Sequence, residues 1–158
     1  MKKIIKIIIG ISILLLCVGV VFADNVKPFQ TPYNTTGKLN IGDGMIPEET
    51  GVTEDIQILA FNDGWDKCYF ISTSKDNAAD LIQSIQSGKK CKADGVEWYH
   101  LEDKQLANSH SAFGTHLKLE TVNEMNVGYL ESPTSDEVIV LVAPPDTIIN
   151  CFKSIQWG

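Results

Sequence analysis

The chain contains no arginine among its 158 residues. Arginine carries the planar guanidinium group that binds phosphate and carboxylate through two parallel hydrogen bonds. Lysine supplies all 13 basic residues against 20 aspartates and glutamates, which gives a formal net charge of −7. A nucleic-acid-binding protein needs a cationic face that displaces counterions from phosphates. We therefore expect no nucleic-acid partner.

Histidine is also scarce, since only His100, His110 and His116 occur. Their spacing matches neither H-E-x-x-H nor a zinc pattern built on paired C-x-x-C. The sequence also lacks a G-x-S-x-G nucleophile elbow, a phosphate-binding P-loop and a dinucleotide fingerprint. We expect no metal and no cofactor, and we favour a non-catalytic protein over an enzyme.

One long apolar run is present, at the start of the chain. Lys2, Lys3 and Lys6 precede it, and the small residues Val21 and Ala23 end it. This pattern is typical of a secretory signal peptide over residues 1–23. The alternative is an uncleaved membrane anchor, because residues 7–23 reach the lower length limit of about 17 residues for a membrane span. Either way we expect a secreted or extracytoplasmic protein that meets the membrane only through this segment.

Residues 24–55 are rich in proline and glycine, which interrupt both helical and alternating patterns. The sequence predicts an extended linker or arm here, with one short strand at most around "KLNI". Asn34 begins an Asn-Thr-Thr sequon and is the predicted glycosylation site. Residues 56–158 are predicted to form a single domain, since this length suits one hydrophobic core.

The first regular stretch predicts a hairpin followed by a helix. The segments "IQILAF" (56–61) and "KCYFIST" (67–73) flank Asp63-Gly64, a typical two-residue turn. Thr73 and Asp76 are spaced as a capping box, and Gly88 suits the helix exit. One apolar stripe of the helix combines Ala78, Leu81, Ile82 and Ile85.

A similar unit follows about seventy residues later. "NVGYLE" (126–131) and "VIVLVA" (138–143) predict a second hairpin, and "PPDTIINCFKSIQWG" predicts a helix with prolines in its first turn. The endings "IQSIQSG" and "FKSIQWG" resemble each other. The sequence leaves two explanations open, a duplicated hairpin–helix unit or chance convergence of common helix residues.

Two more strands are predicted between these units, at "VEWYHL" (96–101) and "HLKLETV" (116–122). The order becomes β-β-α-β-β-β-β-α, an α+β fold with a mainly antiparallel sheet of five to six strands and two helices. Several strands are apolar on both faces, so both faces of the sheet must be covered by other parts of the protein. Either the helices take opposite faces, or residues 24–55 or a partner cover one face.

Three cysteines remain after the predicted signal. Cys68 opens a strand, and Cys91 follows the exit of the helix that returns over that strand. An extracytoplasmic compartment favours one disulfide, and this geometry predicts a Cys68–Cys91 bridge. Cys151 lies on a helix stripe and is predicted to be a buried free thiol.

Three residues are candidate ligand contacts. Trp65 lies at a predicted hairpin tip, and His110 and His116 lie on or beside a long loop. We expect a small binding module for an unknown protein or cell-surface ligand. The alternatives are a secreted hydrolase that combines His110 or His116 with acidic residues, and a structural component of the cell surface.

Overall fold

The computed structural model describes residues 26–42, 45–52, 54, 56–62, 67–102 and 124–158. The predicted signal peptide, the turn at Asp63-Gly64 and the predicted strand 116–122 lie outside these ranges. Trp65, His110 and His116 do so too.

The described residues form two helices and nine strands in an α+β arrangement. The strands are β1 (Val26–Gln30), β2 (Thr36–Asn40), β3 (Ile46–Val52), β4 (Gln57–Asn62), β5 (Lys67–Ser74), β6 (Lys89–Ala93), β7 (Val96–Glu102), β8 (Glu124–Glu131) and β9 (Glu137–Val142). The helices are α1 (Lys75–Gln86), between β5 and β6, and α2 (Pro145–Ser154), after β9.

Seven of these strands form one sheet in the order β3-β4-β5-β9-β8-β7-β6, and β1 and β2 form a separate hairpin. Every pairing is antiparallel. The predicted α+β class is confirmed, although the sheet is larger than predicted. Strand β6 was not predicted, because the alternation in "KKCKA" covers only four residues and its apolar positions are the small residues Cys91 and Ala93.

Helix α1 covers one face of the sheet, which we call the α1 face, and contacts β5, β7, β8 and β9. Its buried residues Ala78, Leu81 and Ile85 come from the predicted stripe. The helix is capped by Ser74, whose hydroxyl accepts from the Asn77 amide at 3.2 Å. The predicted Thr73 cap is wrong because Thr73 is a buried residue of β5, paired with Val138. The sheet residues packed under α1 are Tyr69, Ile71, Leu101, Met125, Val127, Val138 and Val140.

Helix α2 packs on the opposite face, which we call the α2 face. This agrees with the predicted alternative in which the two helices take opposite faces of the sheet. The alternation of β9 explains this division, because Val138 and Val140 lie under α1 whereas Ile139 and Leu141 lie under α2. Pro144 is the N-cap and Pro145 the first helical residue, which confirms the predicted start. The core on this face includes Phe61, Cys68, Phe70, Trp98, Ile148, Cys151 and Phe152.

The β1–β2 hairpin shares the α2 face with helix α2. Phe29, Leu39 and Ile41 are buried in the same core, and Phe29 contacts Phe70 with ring centroids 4.4 Å apart. The structure therefore differs from the predicted extended arm over residues 24–55. Proline and glycine interrupt the sequence pattern there, but the hairpin is held by tertiary packing and by β2's contact with α2.

The two hairpin–helix units do not form a structural repeat. Strands β5 and β9 pair with Phe70 opposite Leu141 and Ile71 opposite Val140. A shift of seventy equates Phe70 with Val140, which lie on opposite faces. In the order β4-β5-β9-β8, a two-fold axis perpendicular to the sheet would relate one hairpin to the other. Such an axis would place both helices on the same face. Because they lie on opposite faces, the units have opposite hands and no rotation superimposes them.

Candidate interaction surfaces

The predicted glycosylation site lies in the turn between β1 and β2. Asn34 is exposed and has a positive φ of 63°, a conformation that asparagine tolerates better than most residues. Thr36, the third residue of the sequon, is half-buried at the start of β2. The side chain that would carry a glycan is therefore accessible, and glycosylation stays a prediction.

The predicted Cys68–Cys91 bridge is inconsistent with the sheet order. Cys68 lies on β5 and Cys91 on β6, which are separated by β9, β8 and β7. Four strand spacings amount to about 19 Å, whereas a disulfide needs Cα atoms within about 7 Å. The prediction failed because α1 does not return to the start of β5. It carries the chain across three strands to the far edge.

Cys151 is a fully buried free thiol, as predicted. Burial, and secondarily the neighbouring Cys68, raises the pKa of Cys151 to about 12. Burial likewise raises the pKa of Cys68 to about 12. Both thiols are therefore protonated at neutral pH and behave as small apolar side chains. Cys91 differs from them because it is half-buried on an edge strand.

A fully buried carboxylate lies under the β1–β2 hairpin. Glu137, the first residue of β9, is 0 % exposed. Its carboxylate accepts hydrogen bonds from the hydroxyls of Ser72, at 2.6 Å, and Thr35. Gln57, the cross-strand partner of Ser72, has a buried Oε1 that finds no hydrogen-bond partner among the described residues. This polar group joins the hairpin to β5 and β9, and no sequence pattern indicated it.

The last residues of the chain lie along β2. Thr36 and Gln156 exchange backbone hydrogen bonds of 2.9 and 2.8 Å. The Ser154 hydroxyl accepts from the Lys38 amide at 2.8 Å. Beside this contact is a cleft of about 460 Å³, lined by Pro28, Phe29, Gln30, Thr36, Gly37, Lys38, Ser154 and Gln156. Lys38 is the one ionisable group in that lining, so the cleft offers polar contacts rather than paired acid–base groups.

One edge of the seven-stranded sheet is β3, which pairs only with β4 among the described residues. Three large apolar side chains are exposed in the described part of the chain, and two of them, Ile46 and Val52, lie on β3 with 67 % and 63 % exposure. Strand β3 contains Glu48 and Glu49 and no lysine. We call strand β3 the acidic edge.

The other edge is β6, which pairs only with β7 among the described residues. Lys89, Lys90 and Lys92 are exposed on this short strand. Glu97 accepts from Lys90 Nζ at 2.9 Å. The Glu97 carboxylate, through that hydrogen bond first, raises the pKa of Lys90. We call β6 the basic edge. Its grouping of three lysines within four residues is the sequence signal that could have identified it.

Near the basic edge, His100 lies half-buried on β7 opposite Lys89, and its Nδ1 is 3.3 Å from Asn126 Oδ1. Within the described ranges, no three histidine, cysteine, aspartate or glutamate side chains are grouped closely enough to hold a metal ion.

No described helix has both the length and the apolarity needed to span a bilayer. Comparison with protein-family models, curated proteins and solved structures finds no match.

Proposed function

We propose that this chain is a non-catalytic, extracytoplasmic binding module, and that the acidic edge binds an extended, basic polypeptide segment. The observation that carries the proposal is the open strand β3 with its two exposed apolar side chains, Ile46 and Val52. The N-terminal pattern of lysines, apolar run and small residues supports the extracytoplasmic location.

An open edge strand presents a row of backbone N–H and C=O groups that an added strand can pair with. Backbone pairing supplies affinity in this mode, and side chains on alternate positions supply specificity. Ile46 and Val52 are exposed apolar groups at the two ends of the strand. The register shift between Pro47 and Glu49 places them on opposite faces of the sheet, since Ile46 pairs with Asn62 and Val52 with Gln57. Apolar side chains on one face of an added strand can therefore cover one of the two. Burying either one would contribute roughly 1.5–3 kcal/mol.

Charge selects the class of partner. Strand β3 contains Glu48 and Glu49, and Asp43, Glu54 and Asp55 flank it in the sequence. A like charge directly opposite in a strand pair is destabilising, and an opposite charge is favourable. The partner segment should therefore combine lysine or arginine with apolar residues.

The hydrolase alternative depends on His110 and His116, which lie outside the described residues, so it stays a prediction. The structural alternative is compatible with the acidic edge, because surface components also assemble through exposed edges.

The test is direct peptide binding to the protein expressed from the full-length sequence. The probe is a fluorescent eight-residue peptide that alternates valine and lysine, and binding is followed by anisotropy at low salt. We expect binding at least tenfold tighter than for a valine–glutamate peptide, with hydrogen-exchange protection confined to residues 46–52.

The matched control is the same valine–lysine peptide methylated on its amide nitrogens, which cannot donate to a strand. It should not bind. Equal binding of the methylated and unmethylated peptides would show that backbone pairing is not involved. Protection located away from β3 would refute the acidic edge as the binding surface.

A further inference from the structure

We infer that the basic segment bound by the acidic edge is strand β6 of a second copy of this chain, so that the molecules assemble head to tail through their sheet edges. This inference rests on the proposed function, because it names the partner of the acidic edge. It is carried by charge complementarity between the two edge strands of a single sheet, each of which pairs with one neighbour within the described part of the chain.

The two edges differ in the sign of their charge. Strand β3 contains two glutamates and no lysine, whereas β6 contains three lysines and no acid. Glu97 of the neighbouring strand lies 2.9 Å from Lys90 and 3.9 Å from Lys92, and Lys89 adds a further positive charge. The chain is acidic overall, with a formal net charge of −7. A cationic strand in such a chain is attracted to the most acidic open strand available, and that strand lies at the opposite edge of the same sheet.

Like edges repel each other. Two β3 strands in contact would bring glutamates together, and two β6 strands would bring lysines together. Lysine on an edge strand commonly prevents association for this reason. Here the lysines of β6 disfavour pairing with a second β6, but they favour pairing with β3, whose charge is opposite. A pairing of β3 with β6 is therefore the favourable combination.

The sheet geometry makes the contact open-ended. The sheet has seven strands with every neighbour antiparallel, so β3 and β6 run in the same direction at its two ends. Copies related by a screw rotation that continues the twist of the sheet would pair β3 with β6 in parallel. An additional half-turn about the same axis, which runs across the strands, would pair them antiparallel. Each arrangement leaves one free acidic edge and one free basic edge, so it grows as a filament instead of closing as a dimer.

Two charge-reversed proteins test this inference. The first carries Lys89→Glu and Lys92→Glu, which leaves Lys90 with its Glu97 partner and makes both edges acidic. The second carries Glu48→Lys and Glu49→Lys, which makes β3 basic like β6. Each protein should be monomeric alone. An equimolar mixture should assemble, because every interface between the two proteins then joins opposite charges.

The measurement is weight-average mass by light scattering and sedimentation, with all proteins expressed from the full-length sequence. For the unmodified protein we expect a mass that rises with concentration without reaching a plateau and decreases in 0.5 M salt, because salt screens surface charge. Controls carry the same charge changes away from both edges, as Lys27→Glu with Lys38→Glu and as Glu131→Lys with Asp136→Lys. These should assemble as the unmodified protein does.

A monomer at every concentration, a closed dimer, or a mixture that fails to assemble would each overturn the head-to-tail inference. If the valine–lysine peptide still protects residues 46–52 in that case, the acidic edge binds a different basic partner and the proposed function stands. If the peptide also fails, both proposals are wrong.

Discussion

The Ser72 hydroxyl donates to the buried Glu137 carboxylate across 2.6 Å, and the other carboxylate oxygen accepts from Thr35. Ser72 of β5 and Glu137 of β9 thereby connect the sheet to Thr35 in the turn of the β1–β2 hairpin. Because the carboxylate is 0 % exposed, bulk water cannot take the place of a donor hydroxyl that is removed.

Glu137→Gln should lower the free energy of unfolding by about 1–3 kcal/mol, because the amide replaces one acceptor with a donor and leaves a buried hydroxyl without a partner. Urea denaturation measures the change. Glu131→Gln, at an exposed position of β8, is the matched control and should change stability by less than about 0.5 kcal/mol. Equal stability of the two variants would contradict a structural role for the Glu137 carboxylate.

Gly128→Ala should destabilise the contact between β8 and α2. A Cβ at residue 128 would lie 2.7 Å from both Ile148 Cγ2 and Phe152 Cε2, so α2 would have to move. We expect a loss of about 1–3 kcal/mol, typical of overpacked cores. Gly51→Ala is the control, since nothing lies within 4 Å of its added methyl group. Thermal unfolding of both variants checks this, and a similar melting temperature for the two would refute it.

A chain beginning at Thr53 should lose cooperative folding, contrary to what an unstructured arm would imply. The deletion removes Phe29, Leu39 and Ile41 from the core of the α2 face and uncovers Phe70. Calorimetry should show a weak or absent transition, or aggregation. A chain beginning at Val26 keeps the hairpin and serves as the control. Transitions of equal temperature and enthalpy in the two chains would mean that the hairpin contributes nothing to the core.

Among the three cysteines of the described residues, the native protein should react with a thiol reagent at Cys91 only, because Cys68 and Cys151 are buried with pKa values raised to about 12. Peptide mapping after labelling at pH 8 identifies the modified residue. All three thiols should react after unfolding. A Cys68–Cys91 linkage in non-reduced protein would contradict the strand order of the sheet.

The same two thiols should make the protein less stable in alkali. A pKa raised by folding means that the native state holds its protons more tightly, so this contribution is complete below pH 9 and is lost as the pH rises toward 12. Each thiol contributes up to about 1.4 kcal/mol per pH unit in that window. Urea midpoints from pH 8 to 11 should fall less steeply in Cys68→Ala, Cys151→Ala protein. An unchanged slope would exclude the thiols as the cause.

Local patterns predicted much of the secondary structure. The apolar stripes identified α1 and α2, and the apolar segments identified β4, β5, β7, β8 and β9. Strands β1, β2 and β3 were missed or under-predicted because proline and glycine interrupt them, and their stability comes from partners distant in the sequence. The same limit applies to α1. The apolar stripe predicted the length of α1. The stripe could not predict that α1 crosses three strands, because that depends on β9 and β8 lying between β5 and β7 in the sheet.

The candidate surfaces were harder to predict than the fold. Trp65, His110 and His116 were candidates because of their residue types and their predicted positions in a hairpin tip and a loop. The acidic and basic edges depend instead on which strands lie at the two ends of the sheet. No local pattern specifies that choice, because strand order is decided by long-range pairing. The clusters of like charge at residues 43–55 and 89–92 were visible in the sequence, but their relation to each other required the sheet order.

Among the described strands, β9 comes last in the sequence and lies at the centre of the seven-stranded sheet. It pairs with β5 on one side and with β8 on the other. Without β9, the sheet would be divided into two three-stranded pieces, β3-β4-β5 and β8-β7-β6. The continuity of the sheet therefore depends on a single strand whose two neighbours belong to different halves of the sequence.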